Sequence, residues 1–326
     1  VIVVTWNGLH VLKDCVAALA AQTQPHELIV VDNGSTDGTR DWLCAHAPWA
    51  KVVPLTRNLG FAGGTNVGIR VAGGDLLTLI NNDAIPAPDF VERLIAPFAH
   101  DSRLGSTAGV LTFAHRPDVV ASAGILVSRD GLHRDLHAFA PVDTLPAEAT
   151  PIFGASGGAV CYRREALEDA GLFDDRYFAY LEDADLAWRL RLRGWDCTLA
   201  PGARARHKYS ATAGQGSPFK QRLQARNRLR VIIRCFPARI VRACWPAMAR
   251  YDLLAAGYAI LKRQPAILAG RLSIIPDLPN LLGQRRRLQA RKRVASESLL
   301  RWFAPPATVR DMLDEQRQLG ALLAGA

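Results

Sequence analysis

The feature that most constrains this fold is an alternation that fills the first hundred residues. Four short apolar runs, "VIVVTW", "ELIVVD", "KVVPLT" and "DLLTLI", are separated by segments of a different kind. Residues 9–21 place Leu12, Val16, Leu19 and Ala20 at helical spacing, and further helices are expected from about Asp37 to Ala47, in "GFAGGTNVGIRVA" and over 88–99. Strands that are apolar at nearly every position must be covered on both faces. Joined by helices, they predict an α/β fold with a parallel central sheet. With 326 residues, the chain is long enough for one such domain plus an appendage.

In open α/β sheets, ligands gather at the C-terminal ends of the strands. The residues there are Thr5 and Asn7 after the first run, Asp32 and its "DNGSTDGT" turn after the second, Arg57 and Asn58 after the third, and Asn81-Asn82-Asp83 after the fourth. Turn chemistry explains Asn, Asp and Gly in general. It does not explain an aspartate after two strands and an arginine after a third. Asp32 suits the N–H groups of a base or the hydroxyls of a ribose, or equally an Asx-turn or helix cap. Arg57 reads as a phosphate or base-edge contact, or as a surface ion pair. "INNDAIP" offers hard oxygen ligands at alternate positions, as Mg²⁺ or Mn²⁺ held with substrate phosphates would need, or a polar turn. "GFAGGTNVG" matches neither GxGxxG nor GxxxxGK[ST], which argues against a P-loop and against dinucleotide binding.

A second feature lies in "FAYLEDADLAWRLRLRGW", residues 178–195, where Glu182, Asp183 and Asp185 occupy four positions ahead of Arg189, Arg191 and Arg193. Acids first and bases last complement a helix dipole, and Gly194 is a natural stop, so the pattern reads as a well-capped helix. It reads equally as a site.

Five segments occur in order: "VDNGSTDGT" (31–39), "RNLGFAGGTNVGI" (57–69), "NNDA" (81–84), "GASGGAVCYRREAL" (154–167) and "YLEDADLAWRLRLRGW" (180–195). Together they resemble a family 2 glycosyltransferase of the GT-A fold, with the nearest likeness to rhamnosyltransferase-type members that build bacterial surface polysaccharides. The resemblance spans about residues 1–215. It implies a Rossmann-like, mostly parallel sheet flanked by helices, and an inverting transfer from a nucleoside-diphosphate-sugar donor to a glycan or polyisoprenoid-linked acceptor. By the same resemblance, Asp32 reads the nucleotide base, with Thr5, Asn7, Asp37, Arg57 and Asn58 around it. Asn81 and Asp83 take the Asp-x-Asp place that binds Mg²⁺ or Mn²⁺, with Asn81 standing where the pattern has its first aspartate. His207 is placed as a further metal or diphosphate contact, against the alternative of a structural histidine. Asn66, Gly157, Gly158 and Asp185 are assigned to the sugars. Asp183 is implied as the catalytic base, supported by Glu182. A sugar hydroxyl is a poor nucleophile and needs such a carboxylate, which answers why acids crowd there.

The net charge of +10 conceals a division. Residues 1–203 carry 16 basic and 24 acidic residues, and residues 204–326 carry 24 and 6. The expected organisation is a catalytic domain, 1–215, and a basic amphipathic helical extension, 216–326. Arginines alternate with Leu, Ile and Val in the extension while stacking aromatics are few. This favours an anionic membrane surface over nucleic acid, which is not expected as a partner, and over a plain solvated bundle. No apolar run reaches the roughly 18–20 residues needed to span a bilayer. The expected location is the cytoplasm, peripheral on the inner face of the membrane. Six cysteines with no CxxC pair predict buried thiols in a reducing compartment. The chain opens inside a strand without a methionine, so a short preceding piece is expected. The rival readings are a nucleotidyltransferase, whose Gly-rich basic loop after the first strand is missing from "TWNGLHVLKD", and a decayed, membrane-binding scaffold, against which Asp83 and Asp183 argue.

Overall fold

In a computed structural model, which describes residues 1–208 and 217–324, the alternation is realised. Strands β1 (Ile2–Thr5), β2 (Ile29–Asp32), β3 (Lys51–Pro54) and β4 (Leu76–Ile80) are joined by helices α1 (Leu9–Ala20), α2 (Thr39–His46) and α3 (Gly60–Val71). All four strands run parallel, ordered β4-β1-β2-β3. The chain moves outward from β1 and then returns to its other side, so the switch in direction lies between β1 and β4, where a ligand crevice is expected. Helix α3 lies very close to β1. A Cβ on Gly64 would stand 2.7 Å from the Val4 side chain, and one on Gly68 would stand 2.5 Å from Ile2. The glycines of "GFAGGTNVG" are therefore packing glycines, not phosphate-loop glycines.

The sheet continues beyond β4 in a way the parallel expectation did not include. After β5 (Ala84–Pro86) and α4 (Phe90–Ile95) comes the long strand β6 (Leu104–Phe113), followed by β7 (Arg116–Ser122), β8 (Ile125–Ser128), β9 (His133–Asp135), β10 (Thr150–Pro151) and β11 (Ala159–Arg163). Strand β11 inserts antiparallel between β4 and β6. Helices α5 (Arg164–Ala170) and α6 (Glu182–Arg193) lead to β12 (Asp196–His207), which pairs parallel with β6 and carries β5 on its last three residues. Strands β8 and β9 belong to a small separate sheet with β13 (Phe303–Ala304). Residues 141–151, expected as loop, hold a 3₁₀ turn at Val142–Thr144 and the short β10.

The remaining helices are α7 (Pro218–Cys235), α8 (Ala238–Leu261), α9 (Pro265–Leu272), α10 (Leu278–Ala290) and α11 (Val309–Ala324). The expected boundary at 215/216 lies outside the described residues. Downstream of it, α7 does not behave as a solvated basic helix. Val231, Cys235 and Phe236 join Trp188 and Phe153 in one buried cluster, with the Trp188 and Phe236 rings 4.5 Å apart. Asn227, Arg228 and Arg230 are buried too. Five of the six cysteines are buried as expected, and Cys44 is exposed. Among the described residues, no helix is long and apolar enough to cross a membrane.

Candidate active site

A cavity of about 910 Å³ opens over the β1/β4 switch point. It gathers Thr5, Asn58, Asn81, Asp83, Gly157, Gly158, Glu182, Asp183 and His207 from segments up to two hundred residues apart. On its floor the Asn82 amide donates to the Thr5 hydroxyl (3.0 Å), bridging β1 and the end of β4. Asn33 is a participant that sequence reasoning passed over. Its amide donates to Asn58 Oδ1 (3.0 Å) and its oxygen accepts from the Leu59 N–H (2.9 Å), so it pins the turn that starts α3. Its place directly after Asp32, at the end of an inner parallel strand, was the available signal.

Asn81, Asp83 and His207 converge. His207 Nε2 lies 2.9 Å from Asp83 Oδ1 and 3.3 Å from the Asn81 amide. The pairing of β5 with the end of β12 makes this possible, since His207 stands opposite Ala84. A carboxylate, an imidazole and an amide at one point form a donor set that fits a divalent cation.

Asp183 begins α6 on the same cavity. Its Oδ2 accepts the Gly157 N–H at 2.9 Å and its Oδ1 the Ala184 N–H at 2.7 Å. Gly158 passes the contact on, because its carbonyl accepts the Asn81 N–H (3.1 Å). The glycine pair thus ties the carboxylate to the Asp83–His207 end. Burial raises the pKa of Asp183, and the two N–H bonds oppose that rise. Glu182 is pushed up further, by burial and then by the charge of Asp183, and no N–H donates to its Oε2 among the described residues.

The backbone ahead of Asp183 is strained. Phe178, Tyr180 and Leu181 all have φ between 65° and 69°, a region costly for residues with a Cβ. Asn227 of α7 holds that loop. Its amide nitrogen lies 3.1, 2.9 and 2.7 Å from the carbonyls of Tyr177, Ala179 and Tyr180. The basic helix therefore shapes the loop that delivers Asp183.

Six expected site residues do not line the cavity. Asp32 caps its own turn through the Ser35 N–H (3.0 Å), one residue before Asn33. Asn7 accepts from the Thr36 N–H (2.8 Å), and Asp37 accepts from the Leu9 N–H (2.9 Å), so both stitch loops together at the strand ends. Arg57 is exposed beside them. Asn66 and Asp185 correct the sequence reading, because both face the core. Asn66 is spent on the Phe173 N–H and C=O and on Asp175. Asp185 is fully buried between Arg189 Nε (2.7 Å) and Arg234 Nη1 (2.7 Å). Neither can reach a sugar.

The sequence profile of glycosyl transferase family 2 matches residues 1–171, more than half of the chain. The chain belongs to glycosyl transferase family 2. Over 240 residues, this family 2 glycosyltransferase is 28% identical to an N-acetylglucosaminyl-diphospho-decaprenol L-rhamnosyltransferase of Mycobacterium tuberculosis, covering 66% of this chain and 77% of that protein. Among solved structures it is similar to GalNAc-T7 crystallised with UDP, GalNAc and Mn²⁺, with a TM-score of 0.60 and 18% identity over 73% of this chain and 48% of that one. It also resembles a mannosyltransferase of Pyrobaculum calidifontis in complex with GDP-Man and Mn²⁺, with a TM-score of 0.52 and 18% identity over 96% and 86% of the two chains. At these identities, the two structures bear on the fold alone, and they agree that it is GT-A.

Proposed function

We propose that the chain is a metal-dependent, inverting glycosyltransferase that moves a sugar, rhamnose by preference, from a nucleoside diphosphate to a hydroxyl of a lipid-linked glycan. The observation that carries this reading is one cavity holding both the Asp83–His207 pair and an Asp183 carboxylate fixed by Gly157. The rhamnosyl donor and the lipid-diphosphate acceptor are supported by the activity named for the mycobacterial relative.

The chemistry follows from those positions. The polar strand ends (Thr5, Asn33, Asn58) and the exposed Trp6 indole are suited to a nucleoside, and Asn81, Asp83 and His207 to its diphosphate and cation. When bound, the cation would neutralise charge on the departing diphosphate. Asp183 takes the proton of the acceptor hydroxyl while that oxygen bonds to the anomeric carbon. The bond from that carbon to the phosphate oxygen breaks, and its electrons leave with the nucleoside diphosphate. A single displacement of this kind inverts the anomeric centre. A thermal-shift panel of UDP, dTDP and GDP, each with and without Mn²⁺, tests the reading. We expect dTDP with Mn²⁺ to raise Tm by several degrees and dTDP alone to do much less. A protein that none of the three stabilises would overturn the proposal.

The same reading places the protein on an anionic membrane surface. Trp245, Leu253, Ile260 and Leu261 of α8, Leu272 of α9 and Ile275 beyond it are 56–83% exposed. Residues 238–296 contain twelve Lys and Arg against two acids, Asp252 and Asp277. Both acids are consumed by internal ion pairs, Asp252 with Arg228 (2.9 Å) and Arg271 (2.6 Å), and Asp277 with Arg230. What faces outward is aliphatic with a positive rim, the chemistry of a peripheral helix face. Replacing Ile260 and Leu261 by Asp should cut sedimentation with phosphatidylglycerol vesicles by about tenfold or more, given the worth of two buried aliphatic side chains. Equal sedimentation of variant and wild type would remove this face from consideration.

A further inference from the structure

The cavity is larger than the nucleotide and metal residues account for. Its remaining wall comes from β9 and from the first turns of α7, in stretches where sequence reasoning named no site residue. Asp135, the last residue of β9, lines it, as do His133, Arg134, Phe178, Tyr180, Phe219, Lys220 and Gln224. Asp135 shares the cavity lining with Asp183, His207 and Lys220, so it lies among the reacting groups and not on a distant face. The Lys220 ammonium stands 5.4 Å over the Tyr180 ring, and the Phe178 and Phe219 rings meet edge-to-face at 5.9 Å.

The chemistry of this wall differs from that of the strand ends. A carboxylate accepts hydrogen bonds from neighbouring hydroxyls of a sugar ring, aromatic faces cover its C–H surface, and an ammonium recognises a phosphate. Burial pushes Asp135 up to about 6, and the Ser122 hydroxyl beside it opposes that rise. Among the described residues Asp135 makes no ion pair within the fold, unlike Asp185. Arg134 is drawn away from it, donating to Glu315 of α11 at 2.6 Å.

We infer that Asp135 is a specificity-determining residue of the acceptor subsite, receiving hydroxyls of the acceptor sugar while Lys220 faces the phosphate that this sugar carries. The inference rests on the transferase reading above and adds the side of the cavity from which the acceptor enters. The acceptor sugar then lies within reach of Asp183, which must hold the attacking hydroxyl.

The test uses the full chain, dTDP-rhamnose with Mn²⁺ as donor, and short-chain prenyl diphospho-N-acetylglucosamine or free N-acetylglucosamine as acceptor. Asp135→Asn should raise the KM for the prenyl diphospho-sugar about tenfold or more, the scale of a hydrogen bond to a charged group. The donor KM and the affinity for dTDP with Mn²⁺ should stay within about twofold. Lys220→Gln should weaken the diphospho-acceptor and leave the free sugar unchanged. A circular-dichroism melt confirms that each variant is folded. An unchanged acceptor KM in Asp135→Asn, with the wild type active, overturns the inference and leaves the transferase reading standing. A raised donor KM would assign Asp135 to the donor sugar, also overturning it. A wild type that binds dTDP with Mn²⁺ but ignores both acceptors would overturn the acceptor class together with this subsite.

Discussion

Asp183→Asn is expected to lower kcat by about 10²–10⁴-fold, the usual worth of a positioned general base, while dTDP and Mn²⁺ bind as before. The substitution keeps the shape of the side chain, and its amide oxygen can still accept the Gly157 N–H, but its NH₂ cannot accept the Ala184 N–H as Oδ1 does. The ability to take a proton is lost together with that bond. The pH dependence carries the signature. Burial holds the pKa of Asp183 above the ordinary carboxylate range. The protonated base is inactive, so in the wild type kcat/KM rises with pH through that raised value and then levels. In the variant this acid limb should vanish. Stability supplies an independent sign. A carboxyl whose native pKa is raised makes the folded state bind more protons than the unfolded chain between the two pKa values. Its contribution therefore falls as pH climbs through that window. Losing the buried charge relieves a cost and losing the Ala184 N–H bond adds one, so Asp183→Asn should melt within a few degrees of the wild type. A variant retaining full turnover would move the base elsewhere, and Glu182 would be the first residue to test.

How much of this was legible depended on which physical signal each residue left. Strands β1, β2 and β4 were legible because both faces of each are buried, which writes an apolar run into the sequence, whereas β3 is a half-exposed edge strand that shows only its two valines. Thr5, Asn58, Asn81 and Asp83 were legible because they end those strands. Strand β9 sits at the edge of a small separate sheet as a three-residue, half-buried segment. No run or period marks it, so Asp135 and its neighbours could not be seen.

The acid cluster stood out in the sequence, but the separate places of its members did not. Two residues apart on a helix is about 200°, so Asp183 and Asp185 must point nearly opposite ways. Crowding in sequence becomes separation in space, with Asp183 on the cavity and Asp185 in the core. The arginines misled for a related reason. Counted by composition, they describe a basic surface. In the structure Arg228 and Arg230 of the basic extension are buried, as are Arg189 and Arg191 of α6, which the sequence reading had placed at a helix end. They spend their donors on carbonyls and carboxylates, including the Phe153 carbonyl for Arg191 (2.8 Å). A planar fork of five N–H donors is suited to that internal role, and composition cannot distinguish it from a solvated one.

Asp185→Ala should be the most destabilising single change, lowering unfolding free energy by about 3–5 kcal/mol in urea titrations. Its carboxylate receives Arg189 and Arg234 at 2.7 Å each and the Tyr177 hydroxyl at 3.1 Å. Removing it leaves two guanidinium groups buried near each other with no carboxylate between them. Arg189 would retain the carbonyls of Ala170, Gly171 and Leu172, whereas Arg234 would keep, among the described residues, only Asp174 (3.0 Å) as an ion pair. Because Arg234 lies on α7 and Asp185 on α6, the loss falls on the junction between the catalytic sheet and the helices behind it. The pH dependence runs opposite to that of Asp183. Burial pushes Asp185 up, but Arg234 and Arg189 together outweigh it and hold the pKa below the ordinary carboxylate value. Its stabilisation is therefore complete above about pH 4, the unfolded value, and fades as pH falls through the lowered native value. The gap in stability between wild type and Asp185→Ala should narrow on that acid side. If Asp185 bound a sugar instead, the variant would keep its urea midpoint and lose acceptor or donor affinity, and the measured split between those two quantities decides the role.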